Sequence, residues 1–457
     1  MNIYLHIEIS SRELDSKLLL ATLAASRGHQ VIVSDLVGIL KGVHNGVLPP
    51  GIFHTKSLTP GSEKIARHKS LIENGFKITS IDEEGNLNEH GYHNFAKQRY
   101  SDQTIEQSSA VFGWGSEDVE TLKKIYSKHS HKIYKTGSPR VDLWRSSFSE
   151  YWDISSTTPT KPFLLIASNL GYANSARSFK EYIKFEKQIG RFERDSDLLK
   201  KRFGETAEDY YKFFEYIKAI QYLSNHSKGY DIVLRPHPSE DLETWEIFLQ
   251  GIPNVHVIRD GSISSWVKNS FAIMQNSCTT ALEATVLKKP VITYIPFEQQ
   301  YDSKLANELG YRVKSLSELL SRVNIIFEDS KVSSNKELNK SFPDQISKKL
   351  YLDDNELAAE KMIKIWENLD SKNFSSSSTL KKFELLLKYH NFKQLIKVAL
   401  KSLSIIRSNS LNKNLKFPPL NKHDINKRIK KFESILGIKE KLECKLLSEK
   451  TILIKRL

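Results

Sequence analysis

Cysteine is nearly missing from this chain: two in 457 residues, Cys278 and Cys444, neither in a CxxC pair. That excludes a disulfide scaffold and a cysteine-based zinc site, and fits a reducing cytosol. No apolar run approaches the roughly 20 residues that a membrane span requires. The opening stretch Met1–Glu8 meets a polar residue too early for a signal peptide. A cytosolic protein is expected, or one held at a membrane only by its surface. No GxGxxG follows the first strand candidate, which argues against a dinucleotide oxidoreductase. GxxxxGK[ST] and GxSxG are also missing, so a P-loop NTPase and a nucleophile elbow are not expected. His129 and His131 stand two apart beside lysines, a poor metal pair. Asp195-Ser-Asp197 matches the DxD pattern of some Mn²⁺-dependent glycosyltransferases but falls in a charged helical stretch. No metal and no resident cofactor are expected.

What is abundant is positive charge, and it is unevenly placed. The formal charge is +14, from 68 Lys and Arg against 54 Asp and Glu. Residues 371–457 hold 21 of the basic and 6 of the acidic residues, a net of +15, which leaves residues 1–370 at −1. The basic balance therefore carries no nucleic-acid reading for the body. The body has room for two domains. We expect an N-terminal domain over 1–147, a second over 161–370, and a basic helical tail over 371–457. A Ser/Thr-rich linker at 155–160 separates the domains, and the serine run Ser375–Ser378 marks the start of the tail.

Both halves alternate strands with helices. Asn2–Ile9, the helical period over Arg12–Arg27 and Gln30–Asp35 form a βαβ unit. Further strand candidates are Gly51–His54, Gly75–Ile81, Ala110–Trp114 and Lys132–Thr136. In the second half they are Pro162–Ala167, Tyr230–Leu234, Val255–Arg259, Phe271–Gln275 and Pro290–Ile295, with helices over Arg177–Asn225 between the first two. Helices at Ser315–Phe327 and Asn355–Asp370 are expected to close that half. The pattern is an α/β fold of two Rossmann-like sheets. In the tail, Lys381–Ile406 and Asn426–Gly437 have helical spacing, and Lys393, Lys397 and Lys401 form a stripe. Such a surface suits anionic lipid as well as it suits water.

Two segments stand where an open α/β sheet binds ligands, beyond the carboxyl ends of strands. Arg235-Pro-His-Pro-Ser-Glu240 follows the strand Tyr230–Leu234, and its prolines hold Arg235 and His237 at set angles for a phosphate. A proline-stiffened strand exit with solvated side chains reads as well. Asn276–Ala284 leads from a strand into a helix. Ser277, Thr279 and Thr280 crowd the helix start, where an anion is favoured, and Glu283 lies one turn in, where a carboxylate holds ribose hydroxyls. Ordinary capping accounts for the same residues. Tyr294, Phe297 and Gln299 border a possible nucleobase pocket. In the first half, Glu8 closes the first strand, and Arg12 and Asp15 follow it. A carboxylate there can act as general base. Asp82-Glu83-Glu84 puts three acids on one turn, and Trp114 is a cleft-edge aromatic or a core residue.

The segments Arg12–Ala21, Asp82–Gly85, Gly113–Gly115, Thr136–Asp142, Arg235–Glu240 and Asn276–Ala284 together resemble a bacterial family of surface carbohydrate biosynthesis proteins. The resemblance implies a GT-B-like glycosyltransferase: two Rossmann-like domains facing a cleft, acting on polysaccharides that carry nonulosonic or octulosonic acids. Bacterial sialyl- and Kdo-transferases share a His-Pro motif and a Ser-rich helix start that grip the CMP phosphate. That implies the same role for His237 and for Ser277 with Thr279. CDP-glycerol polyol-phosphate transferases share a Gly-x-Pro-Arg-x-Asp element, here Gly137–Asp142 with Arg140, and an Arg-x-His-Pro element, here Arg235–Pro238. The motifs do not separate a CMP donor from a CDP donor. The expected partners are a CMP-sugar and a glycan or lipid-linked acceptor, with no nucleic acid. Glu8, then Glu83 or Glu84, is expected to deprotonate the acceptor, while Arg12, Asp15, Trp114 and Arg140 border its cleft. A phosphotransferase, a sugar-nucleotide epimerase and a non-catalytic glycan-assembly protein remain as other readings.

Overall fold

The computed structural model describes residues 1–85, 92–152, 157–175, 178–188, 192, 197–227, 229–332, 344–369, 380–390 and 416–457. These form two compact units: one from 1–85, 92–151 and 344 onward, the other from 152–332.

The first unit carries β1 (Asn2–His6), β2 (Gln30–Ser34), β3 (Ile52–Thr55), β4 (Lys77–Ile81), β5 (Ala110–Gly113) and β6 (Ile133–Lys135). They pair in parallel in the order β2-β1-β3-β4-β5-β6. Ile3, Leu5, Val31, Val33 and Ile52 are fully buried, as strands covered on both faces must be. The helix Ser10–Ser26 is buried at every residue from Glu13 to Ala25. It therefore lies inside the unit rather than on its surface.

The second unit carries β7 (Phe163–Ala167), β8 (Asp231–Arg235), β9 (Val255–Val257), β10 (Ala272–Gln275), β11 (Val291–Tyr294) and β12 (Tyr311–Val313). All are parallel, in the order β12-β11-β10-β7-β8-β9. Helices Phe179–Gln188 and Leu198–His226 fill the expected helical stretch between β7 and β8. Phe213, Tyr216 and Ile220 of the longer helix, with Leu319, Val323 and Phe327 of Leu316–Val332, cover Leu164, Ile232 and Met274 of the sheet. Both halves are thus Rossmann-like α/β sheets, as expected.

The C-terminal residues depart from expectation. The helix Ala358–Leu369 does not close the second sheet but packs on the first. Its Trp366 donates to Thr79 Oγ1 at 3.0 Å and lies 5.3 Å from the His54 ring. The residues expected as a helical tail include β13 (Leu442–Ser448) and β14 (Thr451–Arg456), an antiparallel hairpin. β14 pairs antiparallel with β2, extending the first sheet to eight strands. Leu447 and Leu453, with Leu380, Phe383 and Leu387 of helix 380–390, share a core with Tyr4, Ile32 and Phe53. The helix Lys422–Ile435 buries Ile425, Ile429 and Phe432, and Phe432 stacks on Tyr151 at 4.3 Å. The physical reason is apolar periodicity. Lysines occupy the outer faces, while the inner faces carry the Leu, Ile and Phe that a separate tail has no use for. The lysine stripe 393–401, the serine run 375–378, residues 155 and 156 of the linker and Asp195 lie outside the described residues.

Two expected functional motifs turn out to hold this returning chain. Tyr351 N–H donates to Trp114 O at 2.7 Å, and a Cβ on Gly115 would collide with the Lys348 carbonyl. Gly137 has φ +82°, and a Cβ there would sit 2.5 Å from Tyr351 O. Ser138 accepts from Arg140 N–H at 3.3 Å, and buried Asp142 accepts the Ala359 N–H at 3.0 Å, at the start of helix Ala358–Leu369. Burial pushes the Asp142 carboxyl up to about 6, against the hydrogen bonds that favour its ionised form.

A chain ended after Leu369 loses β13 and β14 and leaves the edge of β2 open. It is expected to lose soluble expression and a cooperative melt. A truncated protein that unfolds as sharply and at the same Tm as the full chain would show that the tail is separable.

Candidate functional site

Each sheet has one place where its strand order reverses, and ligands of open α/β sheets bind there, outside the carboxyl ends of the strands. In the first unit it lies between β1 and β3. In the second it lies between β7 and β10.

In the second unit, Ser168 and Asn169 follow β7, and Asn276 and Ser277 follow β10. Asn169 Nδ2 donates to Ser277 O at 2.8 Å, across the reversal. Ser277 sits at φ +57°, a strained value for a residue with a side chain. Asn307 holds it there, accepting the Ser277 N–H at 2.7 Å and donating to its Oγ at 3.1 Å. The same Oγ donates to Asn276 Oδ1 at 3.0 Å and accepts from Ser303 N–H at 3.0 Å. The Ser277 hydroxyl is thus spent on shaping the turn. Thr280 Oγ1 accepts from Cys278 Sγ at 3.2 Å, and Thr280 and Glu283 are both buried. Thr279, half-buried, precedes the seven-residue helix Thr280–Val286 and has a surface to offer.

The Arg235–Glu240 segment divides its labour. Arg235 is buried, donates to the carbonyls of Asp260 and Gly261, and lies 5.3 Å over the Trp266 ring. Burial lowers its pKa to about 10, so it stays a cation at neutral pH. It clamps the loop after β9. His237 is exposed. Its Nδ1 accepts the Ser239 N–H at 3.2 Å and lies 2.7 Å from Ser239 Oγ. An Nδ1 that accepts a backbone N–H carries no proton, so the neutral ring bears its proton on Nε2. Glu240, which the sequence offers without a role, is the keystone. Its buried carboxylate accepts from His237 N–H at 3.1 Å, Leu170 N–H at 3.0 Å, Trp245 Nε1 at 2.8 Å and Ser168 Oγ. Burial raises its pKa although every one of these bonds lowers it. Arg259 donates to Glu240 O from the other side.

The first unit solves the same problem with ion pairs. Glu8, after β1, lies against Lys56, after β3, and 3.4 Å from Lys416. Burial works to raise the Glu8 pKa, but the bonds and charges of those lysines hold it below the usual carboxylate range. Arg12 donates to Glu13 at 2.8 Å and to Glu84 at 3.0 Å, joining residues far apart in the chain. Glu13, missed in the sequence, is fully buried and accepts the Glu8 N–H at 2.8 Å. Burial first, and then the charge of Glu83, raise its pKa. Glu83 pairs with Lys17 at 2.6 Å, with both side chains buried. Asp82 takes a bidentate pair from Arg99 at 2.8 and 2.9 Å. His6, at the end of β1, lies 3.4 Å from Thr55 Oγ1; burial, then Lys56, lowers its pKa to about 3, so the ring is neutral.

The remaining expected residues serve the core. Trp114 is buried and its indole donates to Asp82 O at 2.9 Å, beneath the acidic turn rather than at a rim. Asp15 accepts from Tyr151 Oη and pairs with Arg428, both at 2.5 Å, tying the helix Lys422–Ile435 to the unit. Arg140 lies 5.6 Å over the Trp144 ring. Tyr294 is buried, and 5.9 Å separates Phe297 from Tyr211. Among the described residues no three His, Cys, Asp or Glu side chains are grouped as metal ligands.

No family model matches the chain, and no curated protein matches it. Solved structures do. A UDP-GlcNAc 2-epimerase from Methanocaldococcus jannaschii, in complex with UDP-GlcNAc and UDP, has 14% identity and a TM-score of 0.44 over 80% of this chain and 100% of that one. A Staphylococcus aureus MnaA structure with UDP has 14% identity and a TM-score of 0.45 over 82% and 99%. The wall teichoic acid polymerase TagF has 12% identity and a TM-score of 0.41 over 70% and 74%.

Replacing Lys17 by Met leaves Glu83 as an uncompensated buried charge, at an expected cost of about 3–5 kcal/mol. Lys17→Met with Glu83→Leu should recover most of that loss. Urea midpoints of the three proteins check this, and a single variant within 1 kcal/mol of wild type by the same scale would contradict a closed, dry pair.

Proposed function

We propose that this chain is a glycosyltransferase that moves an acidic sugar of the nonulosonic or Kdo type from a CMP-activated donor to a glycan or lipid-linked acceptor. The observation that carries the reading is the imidazole of His237. It stands exposed at the carboxyl edge of the second sheet, with its tautomer set by Ser239 and its loop set by Glu240. An Nε2–H presented there can donate to a phosphate oxygen, where charge builds as CMP departs. Thr279, at the start of the helix after β10, is the hydroxyl there that the scaffold leaves least used. Arg235 acts at one remove, through the loop it clamps. The second unit is then the donor domain.

In the first unit Glu8 keeps the role of base. It is the carboxylate at the strand reversal with the more open side chain, at 36% exposure against 3% for Glu83. Glu84 is also open but is tied to Arg12, and Glu83 is sealed by Lys17. A lowered pKa makes Glu8 a weak base, so its contact with Lys56 has to loosen when the acceptor binds. The leaving CMP takes its charge stabilisation from protein groups, and the reaction is read as independent of a divalent metal. No described helix is long and apolar enough to cross a membrane. The lysine-rich outer faces of residues 416–457 are the surface through which the enzyme would meet an anionic membrane.

Thermal unfolding with CMP, CDP and UDP tests the donor. CMP at one hundred times its Kd should stabilise by about 2.7 kcal/mol, and His237→Ala should lose that protection while its own Tm is unchanged. Protection by UDP and not by CMP would overturn the donor, and loss of turnover in EDTA would overturn the metal-independent step.

The acid limb of the rate profile tests Glu8. Its folded pKa lies below the ordinary value, so the ionised base persists as pH falls and is lost only through that lowered pKa. Lys56→Ala removes the strongest lowering contact and leaves the burial, so the acid limb of kcat/KM should move upward. An unmoved limb would exclude Glu8 as the base.

A further inference from the structure

The cations around β3 do not all have acids to meet. Lys56 has Glu8, and Arg99 has Asp82. Lys64, in the first turn of helix Ser62–Glu73, has neither. Among the described residues its ammonium meets only Ser57, donating to the carbonyl at 3.1 Å and the hydroxyl at 3.0 Å. An ammonium carries three donors, so one N–H remains to be used. Thr59 donates to the same Ser57 hydroxyl at 3.3 Å. Arg67 follows on the same helix, half-buried, with no acid partner among the described residues. A half-buried ammonium bonded only to neutral groups, whose charged neighbours are Lys56, Arg99 and Arg67 with Asp82 as the one acid among them, is costly unless an anion joins it. The position is also the right one. Lys56 and Ser57 follow β3, one of the two strands at the reversal of the first sheet.

We propose that Lys64, Ser57 and Lys56, with Arg67 beside them, form a phosphate-binding site in the first unit that holds a phosphate or diphosphate group of the acceptor. The word acceptor rests on the function proposed above; the anion site itself does not. Lysine suits this task as a compact point charge with rotatable donors. The electrostatics agree with the geometry: burial, then Lys56 and Arg99, depress the Lys64 pKa to about 8, and a bound phosphate would reverse that. The chemistry has two sources, a lipid-linked diphosphate and a free phosphate.

Calorimetric titration of the full chain with inorganic pyrophosphate tests the site. Saturable binding is expected in wild type. Lys64→Gln should weaken it by about tenfold, the loss of one charge-assisted hydrogen bond. Arg67→Gln should weaken it less. Lys69→Gln, on the same helix but 73% exposed, should bind as wild type does. Wild type without saturable binding, or Lys64→Gln with wild-type affinity, overturns the proposal. If Lys64→Gln does not fold, Arg67→Gln decides, and its unchanged affinity counts against the site. Farnesyl diphosphate binding more tightly than pyrophosphate supports the lipid-linked source; equal affinities support the site with free phosphate as its ligand. CMP protection read on Lys64→Gln separates the two proposals. It persists if the donor reading holds, and its loss in wild type sinks that reading while leaving pyrophosphate binding to stand or fall alone.

Discussion

The first sheet depends on a chain that leaves it at residue 151 and comes back at 344. A parallel sheet built from residues 1–135 alone would end at β2 with a free row of backbone donors and acceptors, beside side chains as apolar as Val31, Ile32 and Val33. Such an edge invites pairing with other chains. The returning segment closes it with β14, whose Ile452 and Ile454 are buried in register with Val33 and Val31. The return also explains why glycine stands at 115 and 137. Both positions lie where the backbone of 348–351 passes too close for a Cβ.

That constraint changes the meaning of conspicuous residues. Trp114 reads in the sequence as a cleft-edge aromatic or a core residue and Gly137–Asp142 as a motif shared with transferases, and in the fold both segments are the clamp for this return. Chemistry then falls to fewer groups. The two strand reversals handle polarity in different ways. The second unit uses hydrogen bonds from neutral donors to Glu240 and around Asn307, with the cations Arg235 and Arg259 turned toward carbonyls. The first uses ion pairs around Glu8, Glu13, Glu83 and Asp82. A network of the second unit's kind holds its loops in one pose. Exchangeable ion pairs differ, because an incoming anion can trade places with an existing partner.

Much of the fold was legible. Alternating apolar strands and helices located β1–β11 to within a few residues, and buried parallel strands are the easiest to see because they are apolar on both faces. β12 was not legible: it is a three-residue edge strand with Tyr311 and Arg312 exposed. The β13–β14 hairpin was hidden by its lysines, although Thr451-Ile-Leu-Ile is a β-rich run. Of the site, the sequence located the loops but not the partners. Lys17 and Glu83 are 66 residues apart, and Arg428 and Asp15 are 413 apart. Spacing along a chain carries no signal for pairs of that kind. Glu240 was within reach of sequence reasoning. It ends a motif of strongly directed residues, and an acid that follows such a loop by three positions can fold back onto its N–H groups.

The excess of positive charge also follows from the packing. Residues 371–457 hold a net +15, yet the described part is no appendage. Its helix 422–435 turns Ile425, Ile429 and Phe432 inward, and Lys430 outward at 75% side-chain exposure. Lysine on such a face keeps its stem against the protein and its charge in water. The charges of this helix are therefore fixed in orientation by the Asp15–Arg428 pair and the Tyr151–Phe432 stack. A rigid basic face presents its charges to a flat anionic surface together, where a flexible tail has to give up conformational freedom to do so. The same packing makes the described C-terminal segment part of the first sheet's core and edge rather than a tail.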